Sequence, residues 1–257
     1  MNQSRAILQI SKRTLLVVII SVLVIFLLSF TGCSQQNSKS VDEQFMTALS
    51  TGLENRWKIT DAADDQSQES LEKAVQAEKD AVGRFYDQEF ENAELGEAAK
   101  RYIDALNASN AADMYSANNY SRWAKVYNSR VAALYDINGI QAIPVSDSKK
   151  STLNELLNDG EAASFALASI STVTFEPQPP EYESSKWIEY KAVVENTSDL
   201  SFSYFNYNVN VTDSDGVVAD TYIASTNDWA PGTKHTFEFS TDVNVASIDV
   251  TSCEWSL

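Results

Sequence analysis

Few side chains in this chain are equipped to act as nucleophile, base or metal ligand. There is one histidine, His235, and there are two cysteines, Cys33 and Cys253. Nucleophilic Ser/His/Asp and Cys/His arrangements, histidine-rich zinc sites and HExxH helices need more histidines or need this one elsewhere. His235 shares strand parity with Phe237 and Phe239, so it reads as a packed or edge residue. Paired carboxylates remain, since glycoside hydrolysis needs only two across a cleft. The chain has 36 acidic residues, of which Glu54, Asp61, Asp64, Asp65, Glu89, Glu91 and Glu94 are the candidates, and solvated faces explain them equally well. Asp213-Ser214-Asp215-Gly216 has the start of a calcium loop but lacks the third oxygen position and the distal Glu, so it reads as a hairpin turn. The eight glycines are dispersed and form no phosphate loop. We therefore expect no catalytic residue, no metal and no cofactor, and no enzyme.

Aromatic side chains are the remaining means of holding a ligand. Tyr102, Tyr115, Tyr120, Trp123, Tyr127 and Tyr135 gather in one half, and Tyr182, Trp187, Tyr190, Tyr204, Tyr207, Tyr222 and Trp229 in the other. Exposed rings suit glycan stacking or protein contacts, whereas buried rings are core. Trp229, beside Asn227 and Asp228 and ahead of Pro231, is expected to be exposed and is the candidate binding residue. The formal net charge is −17, which opposes phosphate backbones and excludes nucleic acid as a natural partner.

The elements that position these residues fall into an N-terminal segment and two halves. Arg5, Lys12 and Arg13 precede an apolar run from Leu15 to Phe30, broken only by Ser21 and Ser29. Residues 34–40 contain no apolar side chain and read as a tether. Ser40 and Glu43 then fit a capping box, and Val41, Phe45, Leu49, Leu53 and Trp57 recur every four residues. Leu71, Val75, Val82 and Phe85 continue the helical spacing, with Glu78 out of place on the apolar stripe. Leu95, Ala99, Tyr102 and Leu106 form a third helix, and Tyr120 to Asn138 a fourth that stops at Gly139. A short helix at Ser151–Asn158 is expected to end at Gly160. Residues 41–160 thus read as a helical domain.

Residues 165–257 read as strands. Ile188, Tyr190, Ala192 and Val194 alternate with Glu189, Lys191, Val193 and Glu195. In the next strand Leu200, Phe202 and Tyr204 share one parity and Phe205, Tyr207, Val209 and Val211 the other, which predicts a bulge. Turns at 213–216 and 230–232 separate three further strands. The expected class is α+β and multidomain, a helical domain followed by an antiparallel β-sandwich.

Phe30-Thr31-Gly32-Cys33 resembles the lipobox of bacterial lipoprotein signal peptides, with Phe30 in place of the usual Leu. The resemblance implies that residues 1–32 are a signal peptide, that Cys33 receives a diacylglyceryl group, and that the chain is cut between Gly32 and Cys33. Two acyl chains anchor a protein stably. Removing Arg5, Lys12 and Arg13 with that peptide moves the net charge from −17 to −20. The alternative is an uncleaved signal anchor, and either way the remainder lies outside the membrane, because the basic flank stays in the cytoplasm. Lipidation consumes Cys33 and leaves Cys253 as a packed thiol in a terminal strand.

Val193-Val194-Glu195-Asn196, then Val209-Asn210-Val211-Thr212-Asp213 ahead of Asp215-Gly216, and Ala230-Pro231-Gly232 with Phe237 resemble the FxLYD family of Ig-like sandwiches on bacterial surface proteins. Of the naming motif only Asp213 is identical. The resemblance implies an Ig-like fold and brings no activity with it. Together these readings describe a lipid-anchored extracytoplasmic binding protein on the cell membrane, with an envelope protein or a glycan as partner. The alternatives are a non-catalytic accessory subunit of an envelope complex and, more remotely, a carboxylate enzyme on wall glycans.

Overall fold

The computed structural model describes residues 39–63, 67–180, 182 and 184–257. Chain contacts divide it into Met1–Lys39 and Ser40–Leu257, and the second is a single compact unit. The expected signal peptide, the lipobox-like segment with Cys33 and most of the expected tether lie outside the described residues, as do Asp64 and Asp65.

The helical half contains α1 (Val41–Ala62), α2 (Gln68–Val82), α3 (Ala93–Ala108), the single turn α4 (Ala111–Met114), α5 (Tyr120–Ile140) and α6 (Lys150–Thr172). Each of the first three begins where a side chain satisfies a free backbone N–H. Ser40 Oγ accepts from Glu43 N, Ser67 Oγ from Ser70 N, and Asn92 Oδ1 from Glu94 N and Leu95 N. Asp42 is buried and accepts from the backbone of Glu91 and Asn92 at 2.9 and 3.0 Å, tying the loop before α3 to the start of α1. The apolar stripes of these helices meet in one core that includes Phe45, Leu49, Leu53, Leu95, Leu106, Leu134 and Ile137.

Glu78, the misfit on the apolar stripe of α2, sits at the centre of this half with no exposed surface. Arg130 from α5 donates to both of its carboxylate oxygens at 2.7 and 2.9 Å. Arg56 from α1 adds a bond at 3.0 Å and the Tyr102 hydroxyl from α3 one at 2.5 Å. One carboxylate therefore joins four helices. Burial alone raises its pKa, but the charges of Arg130 and Arg56, with the hydrogen bonds of Arg130 and Tyr102, outweigh this and hold it below the ordinary 4.5.

Helix α6 departs from expectation. Gly160 does not end it; the helix continues to Thr172, through the segment expected to separate the two halves. Gly160 is buried where α6 crosses α5, and a Cβ there would collide with the Val131 carbonyl oxygen and the Tyr135 Cβ. The glycine is a crossing point, not a stop.

The C-terminal half has strands β1 (Glu176–Pro177), β2 (Ile188–Glu195), β3 (Phe202–Asp213), β4 (Val218–Trp229), β5 (Lys234–Thr241) and β6 (Val245–Ser256). They form two antiparallel three-stranded sheets, β1-β2-β5 and β4-β3-β6. This is the A-B-E and C′-C-F order of an Ig sandwich. The core between the sheets is aromatic, built from Phe202, Phe205, Tyr207, Trp229 and Phe237. Ala162 and Ala166 of α6 are buried in the same core, and Phe165 stacks on Phe202 with centroids 5.5 Å apart.

Two turns act as read. Asp213 Oδ1 accepts from Asp215 N and Val217 N, and Gly216 takes φ 76°. Buried Asn196 donates to the carbonyls of Leu200 and Trp229 and accepts from Ser198, pinning the β2–β3 turn to the end of β4.

Candidate functional site

Trp229 is not exposed. It has no accessible surface, donates from Nε1 to the Thr233 carbonyl at 3.0 Å, and lies 5.2 to 5.4 Å from Phe165, Phe205 and Phe237. The parity change in β3 explains why. Between β3 and β4 the register is unbroken from Phe202 to Val211, and its irregularity comes only at Val211/Thr212. The change is matched on β4, where Asp228 adopts φ 52° and turns the next side chain inward opposite Phe202. Register irregularities do occur in β3, at Val211/Thr212 against β4 and at Asn208/Val209 and Thr212/Asp213 against β6, but none falls at the parity change between Tyr204 and Phe205, and the binding candidate becomes core.

The other candidates also resolve into structure. His235 is half-buried with its Nδ1 2.5 Å from Thr226 Oγ1, on the face shared with Phe237 and Phe239. Glu54 accepts from the Ser146 backbone and Asp61 pairs with Lys149, while Glu89, Glu91 and Glu94 are exposed around the start of α3. Among the described residues, no group of three or more His, Cys, Asp or Glu could hold a metal ion, and no helix is long and apolar enough to cross a membrane.

What remains concave and aromatic is a groove of about 740 Å³ where α5, α6 and β6 meet. The N-terminal half of α5 supplies Tyr120, Lys125 and Tyr127, α6 supplies Ala166, Leu167 and Ile170, and β6 supplies Thr251 through Trp255. These residues converge because α6 continues past Gly160 and carries its apolar face to the sandwich. Tyr120 is 56% and Leu167 40% exposed, both large apolar surfaces open to a ligand. Trp255 is half-buried and packs against the cluster of Val131, Ala132 and Ala163, as do Tyr127 and Leu156.

The groove also carries polar and charged groups, among them Arg122, Lys125, Asn128, Asp159 and Glu254. The Tyr127 hydroxyl donates to Asp159 Oδ2 at 2.9 Å, and burial, then the Asp159 charge, push its pKa up to about 12. Arg122 is clamped by two bonds to the buried Asp113, at 2.7 and 2.5 Å. Lys125 is exposed and has no acidic partner among the described residues. Burial, then Glu254, push the Cys253 thiol up to about 12, so it lines the groove as a packed, neutral side chain. Such a surface stacks, hydrogen-bonds and presents one ammonium.

A larger and more open hollow of about 840 Å³ lies between α1 and α2, but its lining, including Asn55, Lys58, Ser70 and Lys73, contains no aromatic ring. Reading the sequence identified Tyr120 and Tyr127 as members of an aromatic group. Leu167 and Trp255 escaped it, the first because the helix was expected to end at Gly160, the second because Val250–Trp255 reads only as a closing strand.

No family model matches the chain, and no curated protein matches it. Among solved structures it is similar to IrmA from Escherichia coli, with a TM-score of 0.28 and 13% identity over 33% of this chain and 77% of that one.

Proposed function

We propose that this protein is a lipid-anchored, extracytoplasmic binding protein without catalytic activity, held to the cell membrane through a diacylglyceryl group on Cys33 and taking its ligand in the groove between α5, α6 and β6. The anchoring half of the reading is supported by the basic flank, apolar run and Phe30-Thr31-Gly32-Cys33 of the sequence. The binding half is carried by one observation: Tyr120, Tyr127, Leu167 and Trp255 converge around a concave surface with Lys125, which has no acidic partner among the described residues. The FxLYD-like character of residues 165–257 is part of the same proposal, supported by the structural role of Asn196, Asp213 and Gly216 at the matching positions. The partner is an envelope component, protein or glycan.

Palmitate labelling tests the anchor: label on the intact chain and none on Cys33→Ser is the expected result, and equal labelling of both defeats it. For the groove, a photo-crosslinking residue is placed at 167 or, as a control, at 193 on the outer face of β2, where Val193 is 67% exposed. Discrete adducts from position 167 and none from 193 are expected in intact cells. Indistinguishable patterns from the two positions reject the groove.

A further inference from the structure

The wall that β6 contributes to the groove is its edge. A strand presenting a face lines a cavity with every second residue, whereas here five consecutive residues, Thr251 through Trp255, line it. Among the described residues β6 is an edge strand of its sheet, paired with β3 alone. Its other side therefore offers a row of backbone N–H and C=O groups to the groove. Opposite this edge stand helix side chains alone, from α5 and α6. The inward residues of β6, Ile248, Val250, Cys253 and Trp255, are only half-buried.

We propose that the groove binds an extended polypeptide segment, which adds to the edge of β6 as a further antiparallel or parallel strand. This rests on the binding reading above and names its ligand class. Main-chain hydrogen bonds to the β6 edge supply affinity, and alternate side chains supply specificity. One set of alternate positions meets Tyr127, Leu167 and Ile170 and calls for apolar residues. Lys125, which lines the groove and has no acidic partner among the described residues, calls for an acidic residue. That preference runs against the field of the whole molecule, whose net charge of −17 attracts basic peptides. A local preference for acid thus separates the groove from non-specific attraction.

The probe is an array of synthetic octapeptides with Val or Ile at alternate positions and Asp, Asn or Lys at one end, titrated by fluorescence polarisation into the full chain in detergent. Asp-ended members are expected to bind about tenfold more tightly than Lys-ended ones, with Lys125→Glu reversing the order. N-methylating the alternate peptide groups that face β6 should weaken binding by about tenfold or more, while methylating the intervening groups leaves it unchanged. Binding insensitive to N-methylation overturns strand addition while leaving a binding groove in place. No array member binding below about 1 mM, or a dimer of this chain that excludes the peptides, overturns it as well. Crosslinks from position 167 distinguish either failure from failure of the binding reading itself.

Discussion

At the scale of single residues, a side chain's chemistry here is set by what surrounds it, and Glu78 and Trp229 show this from opposite directions. The sequence displays Glu78 as a misfit, but it does not display Arg56 and Arg130, which come from 22 and 52 residues away. Trp229 looks exposed because Asn227 and Asp228 flank it, and it is core because the backbone at Asp228 turns over. Trp229→Ala should cost about 3–5 kcal/mol in chemical denaturation and leave the groove's binding intact in the surviving folded protein. A variant of unchanged stability would mean the ring is not in the core. Glu78→Leu leaves two buried guanidinium groups without a counter-charge and should cost about 3–5 kcal/mol, much of it recovered by adding Arg130→Met. Because the folded carboxyl titrates below 4.5, its contribution is present above that value and is lost as pH falls through the folded pKa. Urea midpoints followed from pH 7 to 3 should therefore fall for the natural chain and fall less for Glu78→Leu.

At the scale of elements, periodicity made α1, α2, α3 and α5 legible, since each has an apolar stripe, and a capping box marked the start of α1. The strands from β2 to β6 were equally legible from alternation and turns. What periodicity does not report is that neither expected stop ends its helix, since α5 runs through Gly139 to Ile140 and α6 through Gly160, and that only Gly160 lets two helices touch. Gly139 and Gly160 look alike in sequence, yet a Cβ meets nothing within 4 Å at Gly139 and meets backbone at Gly160. Gly139→Ala should stabilise by about 0.5–1 kcal/mol, the helix propensity difference. Gly160→Ala should instead destabilise by about 1–3 kcal/mol, because overpacking at the crossing exceeds the propensity gain. Thermal midpoints of the two variants moving in the same direction would contradict the crossing. The groove was hard to see in sequence for the same reason, since α6 had to be followed past Gly160 before Leu167 could join Tyr127 and Trp255.

At the scale of the whole molecule, α6 belongs to both halves: its Leu153 is buried in the helical core and its Ala162 and Ala166 in the aromatic core of the sandwich. The groove is built from both halves, so it is a fixed binding surface only if they are held together. Reading the sequence gave the order of the halves and the signs of anchoring at Cys33, but a shared helix has no sequence signature beyond its uninterrupted apolar face. The most direct measurement is equilibrium urea unfolding of residues 34–257, followed in parallel by far-ultraviolet circular dichroism, dominated by the helices, and by tryptophan fluorescence, which includes Trp229 and Trp255 in the sandwich. Coincident transitions, shifted together by Gly160→Ala, are the predicted result. Two separate transitions, with Gly160→Ala moving only the helical one, would contradict a groove held rigid by α6.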